Sequence, residues 1–421
     1  MLRHLQRPHS YCRLPRCHLP NNLEGFREAP PLGARKLKAM RSPDEELAVL
    51  EAASLRRTLR AVNSPQLTHA HICGCRLLNF ASNDYLGLAN HPAVKSAYQD
   101  AVDIWGAGSG SSRLICGSLQ PHKELENYLA EAKGKEAALV FANGYATSVG
   151  TLSALLRKGD TVIVDKLSHA SLIDGARLSG ATIRVFPHND LAKLEKLLDS
   201  ITQKSDEKSR TIVVTESVFS MDGDTAPLRE IIALKDKYGV LLLVDEAHGL
   251  GIYGPSGMGL AEHLGCNSGI DLHMGTLGKS AGVAGGYIAA KKTFIDLLVN
   301  RARSFIYSTA PPPAQSAAAL AGLQIIRSDE GSALRKKLWS NIQQFADLTQ
   351  RELPTSPIIP WHVGDSTEAL ALSKSLQESH AIFAPAVRYP TVPRNTARLR
   401  ITLTATHSPQ NIRDLCSAIR L

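Results

Sequence analysis

The sequence predicts an α/β protein, with a mostly parallel central sheet in a large domain and a smaller α+β domain at its C-terminal end. Three observations carry that prediction. Between about residues 95 and 300, strand-length apolar runs alternate with helix-length amphipathic segments. The runs are apolar throughout rather than at every second residue, as strands covered on both faces must be. Residues with chemical capability follow one run after another, where open parallel sheets bind their ligands.

The elements follow in order. Ser42-Pro43-Asp44-Glu45 reads as a capped helix start. His69, His71, Cys73 and Cys75 alternate, so in one continuous strand they would share a face and could suggest a metal. Zinc ligands usually stand further apart, so a hairpin turning near Gly74 into Arg76–Phe80 is the preferred reading, and no metal is expected. The sheet strands are expected at Ala137–Phe141, Thr161–Asp165, Thr182–Pro187, Thr211–Thr215, Val240–Asp245, Asp271–Gly275 and Gly286–Ala290. After Pro311-Pro312-Pro313, an alanine-rich helix over Ser316–Ser328 leads into charged helices and β-like runs such as Arg398–Leu403. The expected organisation is a basic leader (1–40), a helix and hairpin segment (41–94), a large domain (95–312) and a small domain (313–421).

Composition excludes several classes. Of 421 residues 43% are hydrophobic, enough for a large core and too many for a disordered chain. No apolar run approaches the roughly 18 residues of a membrane helix. The net charge of +9 suggests nucleic acid until it is located: residues 1–40 hold eight Lys/Arg and two Glu, or +6, leaving +3 on the remaining 381. A nearly neutral body lacks the concentrated patch that a nucleic-acid face needs. The leader reads as a start assigned too early, with Met40 opening the better-patterned segment; organelle import is the second reading. Seven cysteines without a disulfide rhythm indicate a reducing compartment, so a cytoplasmic location is expected, or a mitochondrial one if the leader directs import.

Five expected strand ends deliver Asn143-Gly144-Tyr145, Ser168-His169, Glu216 to Ser220, Asp245 to His248 and Thr276 to Lys279 to one rim. Two phosphate motifs fail there. The segment Leu277-Gly278-Lys279-Ser280 lacks the first glycine of a P-loop, because His273 stands in its place, and Ser111 replaces the third glycine of a dinucleotide fingerprint. A lysine is ordinarily a solvated charge, but an aspartate ending an apolar strand needs a partner. Pyridoxal phosphate satisfies both: Lys279 forms the Schiff base and Asp245 holds the pyridine nitrogen protonated. A glycine-flanked amide pair and a threonine hydroxyl suit the phosphate.

The motifs NFASNDYLGL (79–88), WGAGSGSSR (105–113), LSHASLIDGARLSGA (167–181), TESVFSMDGD (215–224), VDEAHGLGIYG (244–254), TLGKSAGVAGGY (276–287) and PTVPRNTARLRITLTATH (390–407) resemble the α-oxoamine synthases. These are fold-type I pyridoxal-phosphate transferases, and the resemblance covers about residues 45–421. It implies that Lys279 carries the cofactor and shuttles the substrate Cα proton, that His169 stacks on the ring, and that Asp245 pairs with its nitrogen. It places Ser220 and His248 near the phenolic oxygen, and Gly144, Tyr145 and Thr276 on the phosphate. Ser308 and Thr309 would reach the phosphate of a second subunit, implying a homodimer. Asn83 and Arg400 would hold the amino-acid carboxylate; Arg57 and Thr391 would line the acyl entrance, with Arg56 and Arg60 as neighbouring choices. The implied reaction is a decarboxylating condensation of L-alanine with a pimeloyl thioester, on coenzyme A or acyl carrier protein. Neither nucleic acid nor membrane is an expected partner. Glycine- and serine-using branches of the family remain open at this point.

Overall fold

The structure, a computed structural model, describes residues 42–203 and 209–419. The readings of residues 1–40 lie outside the described residues. Contacts divide the chain between Arg56 and Arg57. In the first unit a helix spans Pro43–Ala52, opened by a capping box: the Ser42 hydroxyl accepts from the Glu45 N–H and the Glu45 carboxylate accepts from the Ser42 N–H.

The second unit begins with a hairpin of β1 (His69–Ile72) and β2 (Cys75–Asn79). Cys73 and Gly74 at its tip both have positive φ, the backbone that a two-residue hairpin turn demands. The register pairs His71 with Arg76 and Ile72 with Cys75. Directly opposed residues share a face, so Cys75 lies with Ile72, away from His69 and His71. Among the described residues no group of three or more His, Cys, Asp or Glu could hold a metal ion.

The central sheet holds β3 (Ala137–Phe141), β4 (Thr161–Asp165), β5 (Thr182–Phe186), β6 (Thr211–Glu216), β7 (Leu241–Asp245), β8 (Leu272–Thr276) and β9 (Gly286–Ala290). Their order is β3-β9-β8-β7-β6-β4-β5, with only β9 antiparallel to its neighbours. The expected strands match to within one residue at each end; the third stops at Phe186 because Pro187 has no N–H to continue the ladder. Successive residues feed two cores. Val162 and Val164 of β4 pack into one and Ile163 into the other. That is why these strands read as continuous apolar runs.

Beyond the sheet lie β10 (Ile358–Gly364), β11 (Ile382–Phe383), β12 (Ala386–Val387) and β13 (Ala397–Thr402). β13 is central in an antiparallel trio with β10 and β12, while β11 pairs in parallel with β2. The alanine-rich helix spans Pro313–Arg327, starting at the proline that suits a first helical turn. Two bonds seat the segment after β2 against β13: Thr402 N–H to Phe80 carbonyl at 2.8 Å and Ala405 N–H to Tyr85 carbonyl at 2.8 Å. This contact sets Asn83 beside Arg400. Cys73, Cys75, Cys116 and Cys266 are free thiols, and no helix among the described residues is long and apolar enough to cross a membrane.

Candidate active site

Two cavities share the rim at the carboxyl ends of the parallel strands. The first, about 210 Å³, is lined by Gly144, Tyr145, His169, Glu216, Asp245, His248, Thr276 and Lys279, with Ser171, Ala247 and Met274. The second, about 540 Å³, is lined by Arg57, Lys166, His169, Ser220, Met221, Asp222 and Thr391 together with apolar side chains. His169 lines both.

Each group arrives from a strand end. The helix Gly144–Leu155 follows β3; its N-cap Asn143 accepts from the Ala146 N–H at 2.8 Å. The Gly144 and Tyr145 amides lie in the first turn, where no intrahelical acceptor exists, so they form an anion cradle. A side chain at Gly286 would run into the Asn143 backbone and Thr147, so glycine is what lets β9 approach this turn. The Tyr145 hydroxyl donates to Asp174 at 2.8 Å. Thr276 ends β8 and donates to the Gly285 carbonyl at 2.9 Å while accepting from the Gly278 N–H, which shapes the lysine turn.

His169 caps the helix Ala170–Ser179 after β4. Its Nδ1 accepts from the Ser171 N–H and lies 2.8 Å from the Ser171 hydroxyl, which leaves the proton on Nε2. Burial holds the ring below its ordinary pKa, against the pull of Asp245. Its backbone N–H donates to Glu216.

Asp245 and Glu216 occupy paired register positions on β7 and β6. Burial raises both carboxyls, and Asp245 adds repulsion at Glu216, which is held well above the usual carboxylate range. Lys279 and the Ala247 N–H favour the ionised form of Asp245. Of the two, Glu216 is pushed the further toward its neutral form, while Asp245 holds the contacts that favour its charge. Burial brings Lys279 down to about 8, opposed by these two carboxyls.

A hydrogen-bonded chain runs from the lysine to Arg400. Lys279 Nζ lies 2.7 Å from His248 Nε2, His248 Nδ1 lies 2.6 Å from the Tyr85 hydroxyl, and that hydroxyl donates to Asn83 Oδ1 at 3.3 Å. Asn83 Oδ1 also accepts from Arg400 Nη1 at 3.0 Å. An ammonium can only donate, so a protonated Lys279 fixes His248 with its proton on Nδ1. Burial, Lys279 and Arg400 all keep His248 neutral, well below its ordinary pKa. Arg400 is anchored further by the Ser220 carbonyl at 2.6 Å and the Thr402 hydroxyl at 2.9 Å.

The structure thus gathers Gly144, Tyr145, His169, Asp245, His248, Thr276 and Lys279 around one cavity. Arg57, Ser220 and Thr391 line the other, and Asn83 is bonded to Arg400. Arg57 donates to the Thr391 hydroxyl at 3.0 Å, whereas Arg56 pairs with Glu51 and Arg60 lies over the Phe383 ring. Ser308 and Thr309 line neither cavity of this chain; Thr309 bridges to Ser112. Tyr85 was missed as a site residue although it lies inside a motif read from the sequence, and Glu216 was placed at the rim without a role.

The profile of the aminotransferase class I and II family matches residues 76–419. The chain is 46% identical over 380 residues to the 8-amino-7-oxononanoate synthase of Citrifermentans bemidjiense, covering 89% of this chain and 96% of that one. With the same enzyme from Geotalea daltonii it shares 45% over 385 residues, covering 90% and 97%. Among solved structures, serine palmitoyltransferase from S. paucimobilis with bound PLP superposes with a TM-score of 0.83 at 29% identity, covering 89% and 95%. The 8-amino-7-oxononanoate synthase of Francisella tularensis gives 0.68 at 27%, covering 82% and 96%. The backbone is thus common to enzymes named for different substrates, while sequence identity separates them. On that identity, the chain belongs to the aminotransferase class I and II family and, within it, to the 8-amino-7-oxononanoate synthases.

Proposed function

We propose that this protein condenses L-alanine with a pimeloyl thioester, with loss of carbon dioxide, to give 8-amino-7-oxononanoate for biotin synthesis. The observation that carries the reading is the pair of cavities meeting at His169: one suits a phosphorylated aromatic cofactor and the other a long acyl group.

Pyridoxal phosphate fits the donor set of the smaller cavity. Two first-turn amides suit its phosphate, which Thr276 would join by turning its hydroxyl from the Gly285 carbonyl; the Asp245 carboxylate would suit a protonated ring nitrogen, and the His169 ring its face. Lys279, brought down to about 8, offers far more free amine near neutral pH than an ordinary lysine for attachment. Bound there, the cofactor supplies an electron sink for negative charge at the amino acid's Cα.

The chain's own residues do the rest. Arg400, fixed by Ser220, Asn83 and Thr402, binds the alanine carboxylate and sets which Cα bond faces Lys279. Lys279 takes the Cα proton and later returns one, and neutral His248 receives a hydrogen bond from its ammonium form. Asp245 keeps the ring nitrogen protonated while negative charge develops. The larger cavity seats the acyl chain against Met221 and neighbouring apolar side chains, with Arg57 and Lys166 offering positive charge to coenzyme A phosphates or an acidic carrier protein. Ser308 and Thr309 serve the phosphate site of a second copy in a homodimer. The free thiols fit a cytoplasmic, reducing setting.

The test is the visible spectrum of purified protein titrated separately with L-alanine, glycine and L-serine, with and without pimeloyl-CoA or a pimeloyl carrier protein. A response to alanine and product only with the pimeloyl thioester are expected. A preference for serine or glycine would overturn the substrate assignment. Comparing the two thioesters identifies the carrier.

A further inference from the structure

Directly beneath Asp245 lies a charged cluster that the reaction does not use. Glu246, the next residue in the chain, points away from the cavity into the core. Its carboxylate accepts from Lys133 Nζ at 2.5 Å and from the Ala261 N–H at 3.0 Å. Lys133 also donates to the Met258 carbonyl, and both members of the ion pair have fully buried side chains. His273 Nδ1 stands 3.6 Å from the same Glu246 oxygen, and its Nε2 lies 3.1 Å from the Asn267 carbonyl. Gly259, at φ +120°, leaves the space this carboxylate fills; any side chain there would run into it.

Taking two charges out of water costs more than a surface pair gains, and an apolar pair of equal size would often serve stability as well. A reason specific to this place is therefore worth seeking, and the place supplies one. Three carboxyl groups, Glu216, Asp245 and Glu246, crowd the ends of β6 and β7. Glu216 is held toward its neutral form by burial and by Asp245. Glu246 is held ionised, at about 2, because Lys133 outweighs the cost of its burial. Its negative charge, next in the chain to Asp245, favours protonation of Asp245. Lys133 sits on that charge and cancels it. His273 adds no charge, since burial lowers its pKa below the ordinary value.

We propose that the buried Lys133–Glu246 pair is a charge-cancelling support beneath Asp245, so that the floor of the site presents one carboxylate charge to the cofactor ring rather than two. Lys133 is thus a positioning residue that acts through Glu246 and Asp245, contacting neither cofactor nor substrate. The inference rests on the pyridoxal-phosphate reading of the first cavity.

The experiment is a double-mutant cycle on holoenzyme, read as the pH midpoint of the cofactor's visible absorbance, alongside melting temperature and cofactor affinity. Lys133→Met removes the counter-charge of Glu246, so at pH values where the bared carboxyl is ionised the site is more negative and the midpoint should rise, by half a unit or more. Glu246→Gln leaves Lys133 uncompensated, so it should fall by a similar amount. Lys133→Met/Glu246→Gln should return to within about 0.3 unit of the parent, and Lys133→Arg should stay close to it. A structural prop would lower the melting temperature without this ordered pattern of signs. Unchanged midpoints in the single variants, or shifts of one sign in both, overturn the proposal. Should the single variants fail to fold, the uncharged double variant still decides: a midpoint displaced by more than half a unit overturns it. Protein that takes up no pyridoxal phosphate sinks the cofactor reading itself, whereas bound cofactor without the pattern sinks only this inference.

Discussion

The floor of the cofactor cavity and the wall of the acyl cavity are built in opposite ways. The floor is local: Asp245 and His248 lie on one turn, and Thr276 and Lys279 on the next strand's turn, each delivered by a buried strand end. The wall is assembled from distant sequence: Arg57 meets Thr391 across 334 positions. The floor is sealed in the core, with Asp245 only 5% exposed, while Arg57 and Thr391 are both exposed. Burial makes each floor group electrostatically expensive and hence chemically potent, because charge interactions strengthen where water is excluded. Wall groups remain solvated, so they tune affinity in smaller steps.

The comparison breaks most decisively at Lys279. Lys279→Ala should cut turnover by about 10⁴-fold or more, since it removes both attachment and proton transfer. Mass spectrometry after borohydride reduction should show cofactor on the parent protein and none on the variant. Retained turnover would end the assigned role. A pH series sharpens the same point. Capture of cofactor by the apoprotein should quicken as pH rises through about 8, where the buried amine loses its proton, rather than near 10.5.

Asp245→Asn should bind cofactor yet slow exchange of the alanine Cα hydrogen by roughly 10²–10³-fold, the scale of losing one preorganised electrostatic group. Deuterium incorporation followed by NMR measures it, and an unchanged rate would mean that the ring does not need this carboxylate. Arg400→Gln comes next. A hydrogen bond to a charged group is worth about 1.5–3 kcal/mol, so KM for L-alanine should rise by roughly 10- to 100-fold. The wall should respond least. Arg57→Ala should raise KM for the thioester by a few-fold, consistent with the roughly 0.2–1 kcal/mol of exposed charged contacts. A larger effect on alanine exchange than on thioester KM would erase the distinction between floor and wall.

The smallest effect concerns the loop that carries Ser220, Met221 and Asp222 along the wall. His188 pins its far end, lying 3.0 Å from Asp165 and 2.6 Å from Asp224. Despite the cost of burial, these two carboxylates hold the imidazole up to about 10. A pKa raised on folding adds stability that is complete below the unfolded value of 6.5 and is lost as pH rises through about 10. Melting temperature should therefore decline across that window, and His188→Gln should flatten the decline.

Much of the fold was legible because the central sheet is two-sided. Each strand had to be apolar throughout and each had to end in a turn, so seven strands and their loop chemistry stood out in one dimension. The wall was harder to read. Nothing local distinguishes Arg57 from Arg56 or Arg60; the choice falls to the segment around Thr391, which folds back alongside Arg57. Tyr85 drew no role from the sequence, because its hydroxyl meets His248 only after β13 has seated the loop after β2. Glu216 was read only as the first residue after a strand, and its pairing with Asp245 appears only with the β6–β7 register.

The sequence by itself located the strand ends and their turns and singled out Lys279 and Asp245 as the proposed chemical pair, because those readings depend on periodicity and on neighbours a few positions away. Tertiary structure alone decided which residues share charge and protons: the Lys279–His248–Tyr85–Asn83–Arg400 chain, Glu216 held toward its neutral form beside Asp245, and the Lys133–Glu246 pair beneath. Coulomb and desolvation energies depend on distance and burial in space, and neither quantity exists until the chain has folded.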